Sequence, residues 1–226
     1  MLNAILKTFN QFFEPAFWRV LLKSLLISGV LLGLCLWVGL EMVGSLPQTG
    51  YGWLDWIIEK ISPVGAFLMA FILYPALASV VMGLFLDDIA KAVETRYYLD
   101  DRPGVPVGVR TSFVSALKLG LTMLVVNLVA LPFYILFLFF PLLSLALFYL
   151  INGYLLNKEY FELIAQRHGD EALHKALRKK HGGRLFVGGC AIAFLFTLPF
   201  LNLTAPLLAT GLMVHIFKDI NQRASQ

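Results

Sequence analysis

Four apolar blocks dominate the chain and restrict what it can become. They run over residues 20–44, 62–86, 112–157 and 185–217. A helix needs about 20 apolar residues to cross a hydrocarbon core, so each of the first two blocks has the length of one span. Composition agrees. Hydrophobic residues make up 59% of the chain and charged residues 14%, against roughly a quarter charged in a soluble domain. The sequence therefore predicts an all-α integral membrane protein. Block 20–44 is too long for the apolar core of a cleavable leader, and no small-residue cleavage site follows it, so it is expected to stay as a signal anchor.

The positive charges orient the blocks. Seventeen of the 18 Lys and Arg residues fall on four segments: the start of block one, the link between blocks two and three, the link between three and four, and the C-terminus. Lys60 alone lies between blocks one and two, beside Glu41, Asp55 and Glu59. The positive-inside rule puts the four basic segments in the cytoplasm. Blocks one and two then cross once each, and segment 45–61 faces outward with Trp53 and Trp56 at the interface. Blocks three and four start and end on one side, so each reads as a helical hairpin. The net charge of +4 follows from this bias, and no basic run interleaved with aromatics points to nucleic acid.

Block four explains its own prolines. In "FTLPFLNLTAPLLATG", residues 196–211, Pro199, Asn202 and Pro206 interrupt an apolar run. Arms at 185–198 and 207–217 reach roughly 21 and 16 Å at 1.5 Å per residue, short of the ~30 Å core. The expectation is a partially penetrating hairpin with its tip at Pro199–Pro206. Non-helical backbone at that depth must be covered by protein or line a wet cavity. Block three repeats the pattern, with Pro132 and Pro141 flanking "FYILFLFF" between arms 112–131 and 142–157.

Outside the bilayer, residues 2–13 read as an interfacial amphipathic helix. Leu2, Ile5, Leu6, Phe9, Phe12 and Phe13 share one face, and Asn3, Lys7, Asn10 and Gln11 the other. Block two is expected to continue as a helix to about residue 97, and 98–110 to be a turn-rich linker. Residues 157–183 predict a helix, a break at Gly169, and a second helix capped by Asp170 and ended by Gly182.

Few residues suggest chemistry. Pro15 in "EPAFWRVLLK" favours a helix start, whose first amides lack helical partners and whose dipole end is positive. Arg19 and Lys23 lie four apart on one face of its first turns, a combination suited to a small oxyanion. Ordinary snorkelling of two basic residues is the plainer account. Asp87/Asp88 and Asp100/Asp101 read as solvated charge, and His168, His174 and His181 as parts of a solvated basic helix, since none has the i, i+4 spacing of a helical zinc site. His215 reads as packed or interfacial. Asn127, Asn202, Thr197, Thr204 and Thr210 are expected either to bond between helices or to line a path. Cys35 and Cys190 read as free apolar residues. No phosphate-binding loop, nucleophile elbow, HExxH or dinucleotide fingerprint occurs, so the chain is read as a non-enzyme without a cofactor or metal.

Three stretches resemble the CysZ sulfate permease family within the wider etoposide-induced protein 2.4 group. "PAFWRVLLKSLL" is similar to the family's Pro-Gly-x-Arg-Arg segment, with Pro15 and Arg19 matching, Ala16 in place of Gly and Trp18 in place of the first Arg. "NKEYFELIAQRHG" is similar to its tyrosine-rich segment, and "FTLPFLNLTAPLLATG" to its hairpin tip. The resemblance implies a bacterial inner-membrane sulfate permease serving cysteine synthesis, with two long spanning helices, two partially penetrating hairpins and a homo-oligomeric assembly. It implies sulfate binding at Arg19, assisted by the amides of Phe17 and Trp18 and, by the chain's own spacing, by Lys23. Pro199, Asn202 and Pro206 would line the path.

The expected layout is a single membrane domain: interfacial helix 1–14, first span 15–44, second span 62–97, hairpin 112–157, cytoplasmic helices 158–183 and hairpin 184–217, with both termini cytoplasmic. The competing expectation is a scaffold or membrane-shaping protein whose half-helices wedge one leaflet and whose N-terminus binds anionic lipid.

Overall fold

The computed structural model describes residues 2–45, 50–99, 101, 104–169, 171–199 and 201–224. Among the described residues every regular element is a helix and none is a strand. In chain order the helices are α1 (Leu2–Gln11), α2 (Pro15–Gly44), α3 (Gly52–Gly83), α4 (Leu86–Tyr97), α5 (Val109–Leu136), α6 (Pro141–Ala165), α7 (Glu171–Lys180), α8 (Gly182–Thr197) and α9 (Leu201–Ala224). Two compact units result, one of residues 1–17 with 86–226, the other of residues 18–85.

The 18–85 unit is built from α2 and α3. α2 has 30 residues and α3 has 32, roughly 45 and 48 Å long at 1.5 Å per residue. Their apolar side chains point outward. Leu26 and Ile72 are each 70% exposed and Phe71 74%, a pattern that needs lipid rather than water as solvent. Polar groups inside these helices turn back on their own backbone. Ser24 Oγ donates to the Val20 carbonyl (2.8 Å) and Ser28 Oγ to the Ser24 carbonyl (2.7 Å). Tyr74 Oη donates to the Leu25 carbonyl of α2 at 3.2 Å. Pro63 and Pro75 stand inside α3, where each lacks an N–H; Ser79 Oγ donates to the Pro75 carbonyl at 2.9 Å.

The expected continuous second span is corrected here. α3 begins at Gly52, ten residues before the expected start, and ends at Gly83; Leu84 and Phe85 turn the chain before α4. Trp53 and Trp56 are therefore in the first turns of α3, 66% and 62% exposed.

The other unit is organised around α9. Most of its membrane-length apolar stretch, Leu201–Gln222, is buried, whereas Leu117–Phe139, on α5 and the turn after it, is almost wholly exposed. α1, α4, α6, α7 and α8 all pack on α9. α6 and α8 pack closely along each other, and the sequence shows why. A Cβ at Gly189 would overlap the Gly153 carbonyl oxygen and fall 2.7 Å from Asn157 Cβ; one at Gly153 would fall 2.5 Å from Cys190 Sγ. Small residues let two backbones touch where lipid gives no hydrophobic drive for helices to associate.

Both expected bends are narrower than their prolines suggested. α5 runs through Pro132 to Leu136, a short 3₁₀ turn follows, and Pro141 is the first residue of α6. α8 ends at Thr197 and α9 begins at Leu201, so Pro199 lies in the bend while Pro206 lies inside α9. α8 has 16 residues, about 24 Å, but α9 has 24, about 36 Å. The length argument thus holds for the first arm and not the second. Gly169, at φ 76°, ends the turn after α6 as expected. Gly182 does not end α7; it starts α8. Asp170, Asp100 and Gln48 lie outside the described residues.

Candidate functional site

α1 shows how the polar centre of the larger unit is assembled. Its apolar residues Leu6 and Phe9, 55% and 56% exposed, face outward, as does Phe13 just beyond it. The buried side is instead Ala4, Thr8 and Gln11, spaced i, i+4, i+7 along one helix face. That side lies on α9. Gly211 gives Gln11 room, since a Cβ there would overlap Gln11 Oε1. Gln11 Nε2 donates to His215 Nε2 (2.6 Å), which leaves Nδ1–H to donate to Tyr98 Oη at 2.8 Å. His215 is packed, as expected. Burial, with the charges of Asp219 and Asp101, pushes the Tyr98 hydroxyl up to about 12.

Beside this chain of bonds stands a carboxylate that the sequence reading did not single out. Glu14 is buried directly before Pro15. Its Oε1 accepts from Tyr97 Oη at 2.8 Å and pairs with Arg96 Nε at 3.1 Å. The chain therefore sets its own anion at the start of α2, where the helix dipole favours one.

The residues expected to hold an oxyanion follow along α2. Phe17 is buried, 5.3 Å from the Phe12 ring, and its N–H donates to the Glu14 carbonyl at 3.1 Å, so that amide is engaged. Trp18 is 41% exposed. Arg19 and Lys23 are both exposed and one turn apart. Lys23 Nζ lies 4.4 Å from the centroid of the Phe85 ring, a cation–π placement. Of the hairpin residues, Asn202 is exposed in the first turn of α9 and its N–H donates to the Leu198 carbonyl (2.9 Å).

A second polar centre fixes the linker after α4. Arg167 is buried, and its guanidinium pairs with Asp87 Oδ1 (2.8 Å) and Glu94 Oε2 (3.1 Å) and donates to the Gly104 carbonyl (3.3 Å). Gly104 N donates to Glu94 Oε2 and Val105 N to the Arg167 carbonyl, both at 2.9 Å. Burial alone would raise the Glu94 carboxyl. The bonds from His168 and Gly104, with the field and bonds of Arg167, outweigh it and hold it at about 2.

Several sequence expectations change here. Asp87, though still partly exposed, also pairs with a buried arginine, and the partly exposed Asp101 places Oδ2 3.3 Å from the buried Lys218. His168 stacks on Phe217 at 5.0 Å, and His174 meets the same ring edge-on at 5.9 Å, so neither is a solvated helix face. Thr197, Thr204, Thr210 and Asn127 bond to carbonyls of their own helices. Glu159 on α6 was also missed. Its partial burial pushes the carboxyl up to about 7. The described residues hold no cluster of three metal-ligating side chains.

Four membrane-length apolar helices, α2, α3, α5 and α9, and charges gathered at helix ends define a polytopic all-α membrane protein. The chain belongs to the family described as sulfate transporter CysZ/etoposide-induced protein 2.4, which matches residues 4–206. No curated protein and no solved structure matches it.

Proposed function

We propose that the chain is a sulfate permease of the bacterial inner membrane that supplies sulfate for cysteine synthesis. The oxyanion binds on the exposed Arg19–Lys23 face at the start of α2, with Trp18 at its edge. Both termini are cytoplasmic, and a homo-oligomer encloses the path past the α8–α9 bend, where Pro199, Asn202 and the first turns of α9 up to Pro206 lie. Family membership over residues 4–206 carries this reading. It is supported by two cations one turn apart on a membrane-length helix, a spacing that lets both reach one oxyanion.

Proteoliposome uptake of radiolabelled sulfate tests it. Arg19→Ala removes a charge-assisted bond worth about 1.5–3 kcal/mol, so uptake at subsaturating sulfate should fall by roughly ten-fold or more, while Arg19→Lys retains part of it. Protein that inserts and folds yet passes no sulfate would instead match a membrane-shaping scaffold.

A further inference from the structure

A cavity of about 450 Å³ lies in the 86–226 unit, between the start of α5, the end of α6 and α7. It has no part in the Arg19 site. α5 contributes Thr111, Ser115 and Lys118, at i, i+4, i+7 on one helix face. α7 contributes Glu171, Lys175 and Arg178, and α6 contributes Glu162. The charges are not matched. Arg178 pairs with Glu162 at 3.2 Å and Lys175 with Glu171 at 2.7 Å. Three cations thus face two carboxylates, and no ion pair among the described residues takes up Lys118. The Glu171 carboxyl is lowered first by Lys175 and also by Lys118 and His174, so the two walls are within reach of each other's charge.

The donors agree in kind. Gln166 Nε2 donates to Ser115 Oγ at 2.9 Å, which leaves the Ser115 O–H free to donate. A hydroxyl above and an ammonium below on one face suit an acceptor-only ligand with several oxygens. Lys118 also stands at the first turn of the apolar stretch Leu117–Phe139, at the level where a lipid phosphate would lie.

The geometry points to a second oxyanion site in this cavity, in which Lys118 and Ser115 bind a tetrahedral sulfate or phosphate group, either free in solution or carried by an anionic lipid. Glu171 opposes the ligand and sets a weak affinity.

The test uses the full chain in detergent with Arg19→Ala, so that the α2 site is removed, titrated calorimetrically with sodium sulfate and separately with short-chain phosphatidylglycerol. Residual binding of one probe is expected. Lys118→Gln should weaken it at least five-fold, and Glu171→Gln should tighten it about three-fold. Both side chains are exposed, so both variants should fold, and their opposite signs separate ligand binding from damage. The responding probe identifies the source of the oxyanion. If neither probe binds the Arg19→Ala protein, or if binding ignores Lys118→Gln, the cavity site is refuted. In that case Arg19-dependent sulfate binding by the unmodified chain would still uphold the α2 site; conversely, sulfate binding equally strong with and without Arg19→Ala and weakened by Lys118→Gln would uphold the cavity and refute the α2 site.

Discussion

Arg167 Nη2 lies 3.1 Å from Glu94 Oε2, and both side chains are essentially sealed from solvent. Around this pair the chain closes the segment after α4 onto the end of α6, with Gly104 so close that a Cβ would fall 2.7 Å from Arg167 Cβ. A buried guanidinium is costly unless it is paired; here its two terminal nitrogens meet Asp87, Glu94 and the Gly104 carbonyl, while Nε is buried without an acceptor among the described residues.

Breaking that pair should therefore cost more than deleting it. Glu94→Gln leaves a buried cation short of a counter-charge and is expected to destabilise the detergent-solubilised protein by about 3–5 kcal/mol. The double change Glu94→Gln/Arg167→Met should recover part of the loss. Thermal unfolding of the three proteins at one detergent concentration reads the difference.

The same carboxyl gives an acid limb. Its folded-state value of about 2 lies below the ordinary 4.5. A depressed acid contributes stability above its unfolded value and loses it as pH falls through the folded one. The melting temperature should drop between pH 4.5 and 2, and Glu94→Gln should flatten that drop.

Glu159 should act with the opposite sign. Burial raises its carboxyl from 4.5 to about 7, so its contribution is fully present below pH 4.5 and is lost as pH rises through 7. Glu159→Gln, which never ionises, should melt higher than the unmodified protein at pH 8 and close to it at pH 4.5. Equal melting of the two at pH 8 would show that the carboxylate is well solvated there.

The α6–α8 contact depends on bare backbone. Gly189→Ala would drive a methyl into the Gly153 carbonyl and Asn157, and should cost upward of 1–3 kcal/mol as overpacking. Gly120→Ala meets nothing within 4 Å and should be neutral or add up to about 1 kcal/mol through helix propensity. The melting temperature should fall for Gly189→Ala and stay level or rise for Gly120→Ala.

The hold of α1 on α9 is narrower. Gly211→Ala displaces only the end of the Gln11 side chain, but it removes the Gln11–His215 bond. Amide exchange in α1 should quicken while that in α8 does not. Protection in α1 unchanged by Gly211→Ala would place its anchoring elsewhere.

The sequence itself determined the class of this protein. Four apolar blocks, seventeen cations on four segments and prolines at 15, 141 and 199 prescribe an all-α membrane chain and mark where helices start or bend, because hydropathy and backbone chemistry act locally. The same local logic misled where one helix lies on another. Prolines 132 and 206 read as breaks yet sit inside helices, since packing can hold a helix through a missing N–H. α1 read as an apolar face and a polar face, and its polar Gln11 turned out to be the buried one, because the lipid-facing and protein-facing sides of a membrane helix obey different rules. His215 meeting Gln11, Arg167 meeting Glu94, and the cavity that opposes Lys118 to α7 join residues distant in the chain. Only the tertiary structure could bring those together, because burial in a shared interior decides which charge answers which.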